Sequence, residues 1–86
     1  MDIAAELSLY PLQQERVPEI KALIERLNRA AGVRVITNSL STQVVGPFDL
    51  VMAALTRELK TTFGQVDKAV VVMKLIGPLS DSGLIK

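Results

Sequence analysis

Val33 to Pro47 reads VRVITNSLSTQVVGP. Val33 to Thr37 is β-branched apart from Arg34, which suits a pleated, half-buried strand. Asn38-Ser39 interrupts it with turn chemistry, and a second apolar run follows from Thr42 to Val45. Two strands joined by a hairpin are the simplest reading. Gly46-Pro47 then breaks the strand pattern and opens a helix, because proline at a helix entry loses no hydrogen bond.

Working outward, each side of this hairpin carries a helix and then a strand. Upstream, Pro18 and Glu19 suit a helix start, and Ile20, Leu23, Ile24, Leu27 and Ala31 recur at helical spacing before Gly32 as a C-terminal cap. Downstream, Phe48, Val51, Met52, Leu55, Leu59 and Phe63 form one stripe, with Gly64 after its end. The first segment alternates Ile3, Ala5, Leu7 and Leu9 against Asp2, Ala4, Glu6, Ser8 and Tyr10, and Lys68 to Ile76 reads as the last strand. The order βαββαβ with right-handed crossovers predicts an α+β, ferredoxin-like fold: a four-stranded antiparallel sheet with both helices on one face. Residues 1–76 form one domain in this reading, and 77–86 form a tail that oligomer contacts could order.

The helix-facing layer should hold Ile3, Ala5, Leu7 and Leu9, then Val33, Val35 and Thr37, with Leu40, Thr42 and Val44 on the third strand and Ala69, Val71, Met73 and Leu75 on the last. The opposite face would carry Ala4, Ser8, Tyr10, Ile36, Val45, Val70, Val72 and Ile76. An open face should be polar at alternate positions, so this one predicts a cover, and a homodimer or homotetramer through the open sheet face is the expected arrangement.

Composition narrows the function. With no cysteine and no histidine, thiol catalysis, disulfides and histidine-based triads or metal sites are excluded within the chain. Ten Lys/Arg against nine Asp/Glu leave no basic footprint for nucleic acid. The longest apolar run, Leu50 to Leu55, is far short of the ~20 residues of a membrane helix, and Met1-Asp2-Ile3 leads into a strand pattern without the basic and long apolar regions expected of a signal sequence. A cytoplasmic, non-enzymatic protein without a cofactor, bound to neither nucleic acid nor membrane, is expected.

Tyr10-Pro11-Leu12 at the end of the first strand and Leu40 to Asp49, reading LSTQVVGPFD, together resemble the thiamine-binding YkoF-like family. Its members show "YPL" after strand one and a "[MG]ST-x-[IV]-x-G-x-x-D" block running into the second helix. The resemblance spans residues 3–75. It departs at Pro47, where the family often has an acidic residue, and after Leu75, where an arginine-containing continuation is missing. It implies thiamine or its pyrimidine moiety as ligand, and assembly into sheet-to-sheet dimers and larger oligomers.

Candidate ligand-binding residues are Thr37, Ser41, Thr42, Phe48 and Asp49. Two threonine hydroxyls in an aliphatic layer require partners, and a polar ligand between sheet and helices would supply them. Local backbone bonds would serve equally, above all for Thr37. Ser41 and Thr42 match the Ser-Thr of the block. Phe48 offers a stacking ring or a packing surface. Asp49 suits the first helical turn by charge alone, and in a site it would accept from an aminopyrimidine or offset a thiazolium. The alternative function is a structural or regulatory self-association module with no small-molecule ligand. The charged helix residues Glu25, Arg26 and Arg29 on the first helix, and Arg57, Glu58 and Lys60 on the second, read as solvated faces with helix-supporting pairs.

Overall fold

A computed structural model describes residues 1–12, 17–38 and 41–79. Its elements run β1 (Asp2–Pro11), α1 (Val17–Asn28), β2 (Arg34–Thr37), β3 (Thr42–Pro47), α2 (Phe48–Gln65) and β4 (Ala69–Leu79). The four strands form one sheet in the order β2-β3-β1-β4, and all three pairings are antiparallel. This is the expected ferredoxin-like α+β arrangement.

Register turns the alternation of the sequence into two faces. Leu7 pairs with Thr42 and Ala5 with Val44, Thr42 with Thr37 and Val44 with Val35, and Leu7 with Met73. These residues share the helix side. The core gathers Ile3, Ala5, Leu7 and Val44 from the sheet, Leu23 and Leu27 from α1, and Val51, Ala54 and Leu55 from α2. Leu27, Leu55, Val44 and Val51 are among its largest fully buried side chains, each contributing about 2 kcal/mol through removal from water.

Four sequence expectations need correction. The helices pack over β1, β2 and β3, and the main contacts of β4 are with β1. Met73 and Leu75 therefore lie on the helix side yet stay exposed, at 39% and 51%. Gly64 lies inside α2, which continues to Gln65 and ends at Val66, since an exposed glycine near a helix end costs too little to stop it. α1 ends at Asn28, before the Ala31 and Gly32 expected to close it; the positive φ of Gly32 serves the turn that follows. The last strand runs past Ile76 to Leu79, through a register irregularity and a cis Gly77-Pro78 bond, so Gly77, Pro78 and Leu79 belong to the sheet. Proline is tolerated where a strand has a free edge or a bulge. Residues 80–86 of the expected tail lie outside the described residues, as does Leu40.

Of the charged residues read onto the helices, Glu25, Arg29, Arg57 and Lys60 are exposed as expected, whereas Arg26 and Glu58 are drawn into the contact between the helices. Glu58 is 7% exposed and links the two helices: Arg26 donates from Nε to its Oε1 at 2.9 Å and from Nη2 to Thr62 Oγ1 at 2.6 Å. Arg57 donates to the other carboxylate oxygen at 2.8 Å. The Arg57 hydrogen bond holds the Glu58 carboxyl below its usual range, burial opposes it, and the Arg26 bond adds to the lowering. A carboxyl lowered in the folded state stabilises fully above its unfolded pKa and loses that contribution as pH falls through the folded one. Thermal unfolding between pH 7 and pH 3 should therefore show an acid loss of stability. Glu58→Gln should shrink that loss, and an unchanged profile would exclude Glu58 as a source.

Candidate functional site

The five candidate residues fall into three places. Thr37 and Thr42 are register partners at the hairpin end of β2 and β3, on the helix side. Thr42 is buried at 7% exposure beside Leu7, while Thr37 is exposed. Neither threonine makes a side-chain hydrogen bond among the described residues, and the Thr42 hydroxyl is not among the buried atoms left without a partner there, so it keeps access to solvent and can bond water or a ligand at the hairpin end.

Ser41 precedes Thr42 by one position and so falls on the other side of the sheet. The loop fixes it there, since the Asn38 amide donates to the Ser41 carbonyl at 3.0 Å and the Ser41 amide to Asn38 Oδ1 at 2.9 Å. Ser41 Oγ donates to Glu6 Oε2 at 3.2 Å. Glu6 pairs with Gln43 on β3 and with Lys74 on β4, and Gln43 pairs with Ile36. A polar row thus crosses the open face, and its Gln43 Oε1 is buried without a hydrogen-bond partner among the described residues.

Around that row the face is apolar. Ala4 and Val45 are in register and are shielded from solvent at 0% and 8% exposure. Their flanking neighbours are Ile76 and Arg34. Tyr10, Val70, Val72 and Ile76 are exposed at 40–51%.

Phe48 and Asp49 begin α2 at the opposite end of β3, about 20 Å from Thr42 at the rise of an extended strand. The Phe48 amide donates to the Met1 carbonyl at 2.9 Å, and both side chains are exposed. They do not converge with the threonines, and Asp49 is accounted for by its place in the first turn. Alternation along each strand puts Glu6 and Gln43 on the open face, and the register makes them neighbours.

Among the described residues no group of three or more acidic, histidine or cysteine side chains is arranged to hold a metal ion. No described helix is long and apolar enough to cross a membrane. The site can offer hydroxyl and carboxylate hydrogen bonding next to apolar surface, which is recognition chemistry.

No family model and no curated protein sequence matches this chain. Solved structures do. A hypothetical protein from Methanocaldococcus jannascii is similar at 24% identity and TM-score 0.81, with 98% of this chain and 88% of that chain covered. A protein from Streptococcus pneumoniae is similar at 23% identity and TM-score 0.84, with 92% and 89% covered. A candidate thiamine biosynthesis/salvage protein from Thermotoga maritima is similar at 14% identity and TM-score 0.79, with 98% and 89% covered. At such identities the likeness is one of fold.

Proposed function

We propose that this chain is a cytoplasmic, non-catalytic small-molecule-binding protein that takes thiamine or its pyrimidine moiety, for sequestration or delivery, and acts as a homo-oligomer. The observation that carries the reading is Thr42, largely buried on the helix side beside Thr37 at the hairpin end, with a hydroxyl that no described protein group engages and that keeps access from outside. A heterocycle entering between sheet and helices would satisfy it. The ligand class rests on the YPL and Ser-Thr blocks and on the Thermotoga maritima neighbour named for thiamine biosynthesis or salvage. Ser41, on the other face, would then serve an interface, and Phe48 and Asp49 would take part only if a second subunit brought them near.

A thermal-unfolding titration with thiamine, and separately with its hydroxymethyl-pyrimidine fragment, tests this. Ligand at about 100 times its dissociation constant adds ~2.7 kcal/mol, or roughly 10 °C or more for a domain of this size. The shift should saturate, vanish in Thr42→Val and persist in Ser41→Ala. No shift at millimolar ligand would remove thiamine from the reading.

The exposed apolar surface of β4 favours a second reading, a self-association module without a soluble ligand. It predicts a defined oligomer whose stability no ligand changes.

A further inference from the structure

We propose that residues 80–86 fold back within the same copy into an apolar groove between α2 and β4, where Leu84 and Ile85 pack between Phe48, Met52 and Leu75. The proposal goes beyond the reading above and depends on no ligand.

The groove follows from how α2 is turned. Arg26 donates to Glu58 and Thr62, so that flank of α2 meets α1. Phe48, Met52, Leu59 and Phe63 recur at four- and seven-residue spacing and form a stripe about 100° round the helix from it. α1 packs on β2, while α2 packs on β3 and β1. In the order β2-β3-β1-β4 the stripe therefore looks toward β4. Facing it are Met73 and Leu75, on the helix side of a strand that no helix covers. Phe48, Phe63, Met73 and Leu75 are 39–51% exposed, and Met52 and Leu59 are partly buried against the core. Two apolar walls thus flank a channel that no described residue fills, and covering it would gain about 25 cal/mol per Å².

The segment that follows β4 starts at one mouth of this channel. Leu79 pairs with Asp2 and Asp2 with Pro47, and the Phe48 amide donates to the Met1 carbonyl, so β4 ends where α2 begins. Ser80-Asp81-Ser82-Gly83 is made of turn formers, and the apolar pair Leu84-Ile85 comes next. Five residues of chain reach up to about 17 Å, and Leu75 lies about 13 Å back from Leu79 along the strand. Leu84 and Ile85 therefore arrive at the level of Leu75 and Phe48. Phe63, about 22 Å farther along α2, is beyond the roughly 20 Å that the six residues to Ile85 cover when extended. Pairing along the edge of β4 instead would set Ile85 opposite Pro78, which has no amide hydrogen to donate.

The chain has no cysteine, so introduced pairs of thiols report contact directly. In dilute protein under mild oxidation, Leu75→Cys with Ile85→Cys should close a disulfide within one chain, at least tenfold more than Phe63→Cys with Ile85→Cys. In the otherwise unaltered chain, Leu84→Asp with Ile85→Asp should lower the Tm by roughly 4 °C or more. A first pair that stays open, or that yields covalent dimers because the groove takes the segment of another copy, would overturn the proposal. Equal closure of both pairs, or an unchanged Tm, would overturn it as well. Thiamine enters neither measurement, so failure of the ligand reading and failure of this one appear in different assays.

Discussion

Glu58→Ala should lower the unfolding free energy by about 3 kcal/mol, the lower end of the cost of breaking a buried ion pair. In a domain of this size that corresponds to roughly 12 °C or more in Tm. The cost comes from what remains: Arg26, with only 17% of its side chain exposed, would keep its bonds to Thr62 and to the Glu58 carbonyl but lose its counter-charge. Arg57, 58% exposed, would return to water at little cost. Removing both buried charges together should behave differently. Arg26→Met with Glu58→Leu replaces the pair by apolar side chains and should recover most of the loss. A loss below about 1 kcal/mol for Glu58→Ala would instead place the pair among solvent-exposed ion pairs.

Gly46→Ala should cost about 3 kcal/mol, with the opposite sign expected at Gly64. A Cβ on Gly46 would sit 2.8 Å from the Gly32 carbonyl oxygen and 3.4 Å from the Val33 Cα. Both are backbone atoms, so no rotamer change relieves the overlap, and the cost belongs at the upper end of overpacking. A Cβ on Gly64 meets nothing within 4 Å. Because that glycine is helical, Gly64→Ala should add up to about 1 kcal/mol. Chemical denaturation of the two variants side by side gives the comparison. Equal effects would show that backbone crowding does not set the need for Gly46.

Local pattern carried the architecture. Pro18 and Gly46-Pro47 marked two helix entries, and period-two alternation in β1 separated the core face from the open one before any register was known. Helix ends were harder to read, because Gly32 and Gly64 look alike in sequence, and only the path of the chain distinguishes a turn with positive φ from a tolerated helical residue. Residues 77–86 read as a tail, although the edge position of β4 lets the strand continue through Gly77 and Pro78 to Leu79.

The candidate site was less legible. Consecutive Ser41 and Thr42 read as one motif but serve opposite faces. The partnership of Glu6, Ser41 and Gln43 depends on strands 35 or more positions apart coming into register. The buried state of Glu58 depends on the antiparallel packing of α1 against α2, since on α2 alone it is one charge among several.

The place of β1 between β3 and β4 also governs the order in which the molecule can form. β1 is made before the other strands, and its pairing with β4 requires the chain to extend to Leu79. On a ribosome, α1, β2, β3 and α2 can all emerge while one side of β1 still lacks its neighbour. Residue pairs far apart in sequence close slowly because of the loop entropy they must overcome. The nascent chain therefore holds an apolar strand with one edge unpaired until β4 has been made, and during that interval chaperones or a neighbouring nascent copy have access to it.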